Sequence, residues 1–137
     1  MRKRIALLVE DNPPEREQVA GWLRLAGFQV EAVGDYLAAV AALSTVRPDI
    51  ILCDLVLPRE SGFDLVEHVR KTKDIEWIPI LVMTDRHSPE DMAHAEELGA
   101  NAYLKKPFHR ERLDKYVSTL LDGPQSSRPS VRRLRRT

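Results

Sequence analysis

Five short apolar runs alternate with five helix-patterned segments, and this alternation limits the fold more than any single residue does. The runs are IALLV (5–9), FQVEAV (28–33), DIILC (49–53), IPILVM (78–83) and NAYLK (101–105). The stretches between them carry helix punctuation. PPEREQVAGWLRLAG opens on prolines and acids and closes at Gly27, with Val19, Trp22, Leu23 and Ala26 on one face. DYLAAVAALSTVRP has a cap at Asp35 and must end before Pro48. SGFDLVEHVRK places Phe63, Val66 and either Val69 or Arg70 at helical spacing. SPEDMAHAEELG starts from a Ser88 cap and stops at Gly99, and HRERLDKYVSTLL aligns Leu113, Tyr116, Val117 and Leu120. Strands separated by helix-length segments predict βαβ units and a parallel sheet with helices on both faces. The runs starting at 5, 49 and 78 are nearly all apolar, as for strands covered on both sides; the mixed second and fifth belong nearer the edges.

Charge divides the chain in two. Lysines and arginines number 21, as do the acids, but residues 123–137 hold five arginines and no acid, leaving 16 basic residues against 21 acidic in the remainder. That acidic body argues against nucleic acid as its ligand. The last segment, mixing Gly, Pro, Ser and Arg, has too few aliphatic residues to offset ordering entropy, so the expected organisation is one domain over residues 1–122 and a disordered basic tail or linker stub over 123–137. Its RRLRR run is read as solvated linker, with contact to nucleic acid or an acidic partner as the other reading. No apolar run is long enough to span a bilayer, and the one following MRKR is too short for a signal peptide. The lone Cys53 cannot form an internal disulfide, and a cytoplasmic location is expected.

The stretch IILCDLVLP raises the functional question, because four apolar residues deliver a carboxylate, Asp54, to a strand end. Ionised carboxylates are seldom buried without a compensating cation or hydrogen bonds. In an open parallel sheet, ligands bind beyond the carboxyl ends of the strands. Glu10 and Asp11 follow the first strand there, Asp54 ends the third, Thr84 ends the fourth and Lys105-Lys106-Pro107 follows the fifth. Three clustered carboxylates repel one another unless a cation neutralises them, and oxygen-only ligands suit a hard ion such as Mg2+. With an ammonium and a hydroxyl beside it, the rim suits a phosphoryl group on Asp54.

At this point the chain resembles the receiver domains of two-component response regulators. The resemblance rests on LLVEDNPPEREQV with its acid pair, DIILCDLVLPRESG with Asp54, Pro58 and Gly62, ILVMTD with Thr84, and AYLKKPF with Tyr103, Lys106 and Pro107, across about residues 4–121. It implies a flavodoxin-like doubly wound (βα)5 sheet with strand order 2-1-3-4-5. It implies that Asp54 accepts phosphate from a histidine kinase or phosphotransfer protein. Asp11, Asp54 and the backbone carbonyl of Val56 would ligate Mg2+, with Glu10 acting through a metal-bound water. Lys106 would pair with a phosphoryl oxygen, Thr84 would turn its hydroxyl to the phosphate, and Tyr103 would move inward. The Lys106–Pro107 bond would be cis. A downstream protein would bind the face of the fourth helix, fifth strand and fifth helix, which also admits a phosphorylation-dependent homodimer.

Plainer readings stand beside these. An acid pair after a strand often only starts a helix, and Thr84 and Tyr103 are ordinary strand residues when taken singly. His68, His87, His94 and His109 lack ligand-like spacing and are read as surface residues. Trp22 and Trp77 are read as structural, with Trp77 close enough to the fourth strand for a fluorescence test. Lys105 is read as solvated or partner-facing. Two departures from the receiver pattern bear on kinetics: Asp85 stands where a small residue is usual, and Glu60 where an apolar one is common. An aspartyl phosphatase would need a second acid at Val56, and a flavin binder would need glycines in EDNPPE, so neither fits. A constitutive interaction module with an idle pocket is the remaining alternative to a signalling switch.

Overall fold

A computed structural model describes residues 2–86 and 88–123. Its elements are β1 (Ile5–Val9), α1 (Pro13–Leu25), β2 (Gln29–Val33), α2 (Tyr36–Leu43), β3 (Ile50–Asp54), α3 (Gly62–Lys71), β4 (Ile80–Thr84), α4 (Pro89–Leu98), β5 (Ala102–Lys105) and α5 (Arg110–Asp122). The strands form one parallel sheet in the order β2-β1-β3-β4-β5, the flavodoxin-like arrangement. The tail reading beyond Gly123 and the surface reading of His87 fall outside the described residues.

Strand parity builds the two layers, because successive side chains point to opposite faces. Leu7, Val9, Ile51, Cys53, Ile80 and Val82 turn to one face, where Ala39 and Leu43 of α2, Val66 and Val69 of α3 and Ala95 of α4 cover them. Ala6, Leu8, Ile50, Leu52, Leu81 and Met83 turn to the other, beneath Val19 and Leu23 of α1 and Leu113 and Val117 of α5. Every residue of β3 and β4 is buried, whereas β2 and β5 hold exposed positions, as expected for edges.

Polar caps fix where the helices begin. The Asn12, Asp35, Ser61 and Ser88 side chains accept from the third backbone N–H of α1, α2, α3 and α4, and Asp64 completes a capping box with Ser61. Gly99 closes α4 at φ 116°, a left-handed conformation that favours glycine. Some boundaries differ from the sequence reading. α2 stops at Leu43, well before Pro48, because the Ser44 hydroxyl and the Arg47 guanidinium donate to the Ala41 and Leu43 carbonyls. Ala26 is exposed at the cap of α1, and Ala20 takes its expected place on the buried face. In α3, Val69 is the buried member of the Val69/Arg70 pair, and Leu65 joins it.

Gly62 answers a packing demand. A Cβ on it would lie 2.2 Å from the Asp54 carbonyl oxygen and 2.7 Å from Leu55 Cα, so α3 can press against the end of β3 only if this residue has no side chain. Its N–H donates to the Leu55 carbonyl at 2.8 Å. The turn below Asp54 is thereby held by the helix that follows it.

Candidate functional site

Strand register brings the candidate residues to one edge. Val9 pairs with Cys53, Asp54 with Met83, and Thr84 with Lys105, so Glu10, Asp54, Thr84 and Lys106 emerge side by side. The Lys106 N–H donates to the Thr84 carbonyl at 2.9 Å, and the Lys106–Pro107 peptide is cis. Lys106 Nζ reaches back over the sheet to Asp54 Oδ2 at 2.6 Å, Glu10 Oε1 at 2.6 Å and Glu15 Oε1 at 2.7 Å. The other Asp54 oxygen, Oδ1, accepts from the Val56 N–H at 2.9 Å. Asp54 is therefore held at both oxygens, with its lysine-facing edge toward the rim.

Burial sets the electrostatics. Glu10 is 1% exposed and Asp54 6%, while the Lys106 side chain retains 14%. Burial drives the Glu10 carboxyl above its ordinary range, against the hydrogen bonds from Lys106 and the Asn12 N–H; the neighbouring Asp54 charge pushes the same way as burial. Burial alone would lower the Lys106 ammonium, but hydrogen bonds to Asp54, Glu10 and Glu15 outweigh it and hold the group well above its usual value. Cys53, adjacent in β3, is fully buried, and burial beside Asp54 and Glu10 pushes its thiol up, so it is a packed and unreactive group.

Asp11 is exposed, yet one of its oxygens lies in a group with Glu10 and Asp54 oxygens in which all are within 4.8 Å of one another. Three carboxylates with no nitrogen or sulfur donor make a fitting cradle for a hard divalent cation.

The remaining expected residues are placed differently from one another. Thr84 is fully buried, and its hydroxyl oxygen accepts from the Arg86 N–H at 3.1 Å. Tyr103 is half-buried against the α4 side, its hydroxyl donates to the Arg86 carbonyl, and burial raises its ionisation. The turn after β4 is thus tied to both Thr84 and Tyr103. Val56 is 46% exposed. Asp85 is exposed and lines a cavity of about 360 Å³ with Glu15, Gln18, Trp22, Lys106 and Phe108. Lys105 and Glu60 are exposed. Of the histidines, His94 and His109 are exposed, but His68 is only partly so, edge-on to Tyr36, and the His94 ring lies tilted against Phe63 with centroids 4.6 Å apart.

Two residues near the site have roles that the sequence reading missed. Glu15 served there only as a helix-start acid; it stands in the first turn of α1, one turn past Asp11, and that spacing was the available signal. Trp22 shares the cavity with Lys106 and packs on Phe108, whereas Trp77 precedes β4 at the opposite end from Thr84 and donates its Nε1–H to Asp74. Trp22 is therefore the better-placed reporter.

A doubly wound sheet with an acid trio and a lysine beyond the carboxyl ends of its strands has its candidate site where such sheets bind ligands. Residues 6–118 match the response regulator receiver domain, and the chain belongs to that family. It is 39% identical over 113 residues to the phosphate regulon transcriptional regulatory protein PhoB of Escherichia coli K12, an alignment covering 82% of this chain and 49% of PhoB. The chain thus spans about half the length of such relatives. The structure of the chemotaxis response regulator CheY4 of Vibrio cholerae matches with a TM-score of 0.83 at 33% identity, covering 88% of this chain and all of that one. The receiver domain of the sensor histidine kinase PA1611 from Pseudomonas aeruginosa PAO1, with a magnesium ion coordinated in its active-site cleft, matches at TM-score 0.79 and 32% identity, covering 85% of this chain and 96% of that one.

Proposed function

We propose that this receiver takes a phosphoryl group from a phosphohistidine donor onto Asp54 and so switches a protein-binding face. The observation that carries this reading is the Lys106 ammonium 2.6 Å from Asp54 Oδ2 within a rim of acids. An Asp54 carboxylate oxygen attacks phosphorus in line with the donor nitrogen. The P–N bond breaks, the imidazole leaves with the electron pair, and Asp54 carries an acyl phosphate. Lys106 gives an N–H to a phosphoryl oxygen that gains charge. The Val56 N–H fixes the orientation of the carboxylate by holding Oδ1.

The acid cradle of Glu10, Asp11 and Asp54 fits Mg2+; Asp11, Asp54 and the Val56 carbonyl would hold the ion, Glu10 would act on it through water, and its charge would neutralise phosphoryl oxygens. Thr84 then turns its hydroxyl from the Arg86 N–H toward the phosphoryl group, and Tyr103 leaves the Arg86 carbonyl for the space released. Both exchanges act on the turn between β4 and α4, and so reshape the face of α4, β5 and α5 on which a downstream protein or a second copy would dock. Asp85, beside Lys106 in the same cavity, modulates the rates of phosphorylation and hydrolysis.

The donor is a histidine kinase or a histidine phosphotransfer protein. The protein is a self-phosphorylating switch and turns over no other substrate. No helix among the described residues is long and apolar enough to cross a membrane, and the cytoplasm is the location proposed. A transcriptional output, such as PhoB's name states, is not assigned to the acidic body, which disfavours a phosphate backbone.

Incubation with acetyl phosphate and Mg2+, followed by intact mass measurement, tests the reading. One phosphoryl adduct on wild type and none on Asp54→Asn is expected, with Asp85→Ala labelling at a rate more than twofold different. Equal labelling of wild type and Asp54→Asn would move the acceptor elsewhere. An unlabelled wild type would leave a phosphorylation-independent interaction module.

A further inference from the structure

An ammonium has three hydrogens, and all three on Lys106 are engaged: two by the buried Asp54 and Glu10, the third by Glu15. Glu15 differs from the other two partners. Its side chain is 46% exposed, against 1% for Glu10 and 8% for Asp54. It is also aimed by its own helix, because Asn12 Oδ1 accepts the Glu15 N–H at 3.0 Å and fixes the first turn of α1 over the rim.

Resting on the phosphoryl-acceptor reading of Asp54, we propose that Glu15 is a positioning residue that holds Lys106 over Asp54 in the unphosphorylated rim and competes with the phosphoryl group for that ammonium. Asp54 and Glu10 are walled in by the sheet and cannot swing into water without exposing the rim. Glu15 can. Whichever hydrogen a phosphoryl oxygen takes, the Glu15 carboxylate either gives up its contact or stays on the same ammonium and divides its charge. Both outcomes weaken the grip of Lys106 on the phosphoryl group. An interaction stronger in the unphosphorylated state shifts the equilibrium toward that state, so Glu15 sets how readily the site loads.

Glu15→Gln keeps the length and the helix position while removing the charge. Glu17→Gln, on the same helix, is the control: Glu17 is 79% exposed and only loosely paired, with Arg24 at 4.0 Å. The probe is beryllium fluoride, a phosphoryl mimic, titrated with Mg2+ present and followed by Trp22 emission in a Trp77→Phe background. A half-exposed pair implies half-saturation about two- to fivefold lower in Glu15→Gln, no change in Glu17→Gln, and a difference that shrinks in 1 M salt. The initial rate of labelling by acetyl phosphate should rise in the same ratio. Unchanged or weaker binding by Glu15→Gln would overturn the inference, as would an equal gain in Glu17→Gln, which would reduce it to net charge. A wild type that neither binds the mimic nor takes a phosphoryl group would defeat the acceptor reading itself, an outcome distinct from either.

Discussion

The two ends of the sheet solve the same problem in opposite ways. At the amino end, cations reach out to fixed oxygens. Arg70 donates to the carbonyls of Gly99 at 3.0 Å, Glu76 at 3.0 Å and Ile78 at 2.7 Å, and to Asn101 Oδ1 at 2.7 Å, an oxygen that also accepts the Ile80 N–H. Arg2 grips Asp49 with two nitrogens, and Arg4 grips Asp122 likewise. At the carboxyl end, acids converge on a single lysine. The first pattern spreads positive charge over partners that stay put, which suits a structural staple. The second packs more negative charge than one ammonium can neutralise, and the shortfall is what makes the rim receptive to a cation and a phosphoryl group. Planar guanidinium against compact ammonium follows the same division, since a fixed fork suits permanent geometry and a flexible point charge suits exchange.

If the carboxyl end is short of positive charge, removing its lysine should produce the largest effect of all. Lys106→Met leaves Glu10 and Asp54 buried without their cation, and breaking such a pair costs about 3 kcal/mol, at the lower end because the rim opens to solvent. Urea unfolding with and without Mg2+ checks it. The variant should lose that stability in chelator and regain more from Mg2+ than wild type does. A variant as stable as wild type in chelator would mean that the acids need no counter-ion, and the contrast between the ends would collapse.

Arg70→Ala probes the other end and should come next in size. Depriving four half-buried acceptors of the Arg70 donor should lower stability by about 2 kcal/mol. Here Mg2+ should restore nothing beyond what it adds to wild type, and the labelling of Asp54 at a temperature where the variant is folded should be unchanged. Selective rescue of Arg70→Ala by Mg2+ would show the two ends to be coupled.

The contrast also explains what could be read from the sequence. The two layers follow from apolar parity, because burial leaves a period in the sequence, and the gathering of Glu10, Asp11, Asp54, Thr84 and Lys106 at one edge follows from their places at the carboxyl ends of strands; the strand order rested on the resemblance to receiver domains. Glu15 did not stand out, since an acid in the first turn of a helix has a sufficient local explanation, and its reach to Lys106, 91 residues away, depends on how α1 sits over the sheet. The Arg70 staple was invisible for a related reason: three of its acceptors are backbone carbonyls, which any residue supplies. The sequence offered Val69 and Arg70 as rivals for one face, and only the packing of α3 shows that Val69 enters the core while Arg70 ties its edge to the segment before β4 and the turn before β5.

The smallest effect expected is also the one whose sign separates the ends most cleanly. Burial by itself would raise the Asp49 carboxyl, but the Arg2 hydrogen bonds and the Ile5 N–H at 2.8 Å outweigh it, so the group ionises below its ordinary range. A carboxyl lowered by folding contributes stability that is fully present above its unfolded pKa, about 3.9, and is lost as pH falls through the still lower folded value. Asp49→Asn keeps an acceptor for Ile5 but gives up the charge. Its deficit should be at most about two degrees in Tm at neutral pH, given an exposed Arg2, and smaller still in high salt. Thermal melts from pH 7 to pH 2 should show wild type and variant separated by a constant gap down to about pH 4, then converging. A gap that persisted at pH 2 would mean that Asp49 acts through its shape and not its charge. The Arg2–Asp49 contact would then drop out of the contrast as a charge pair.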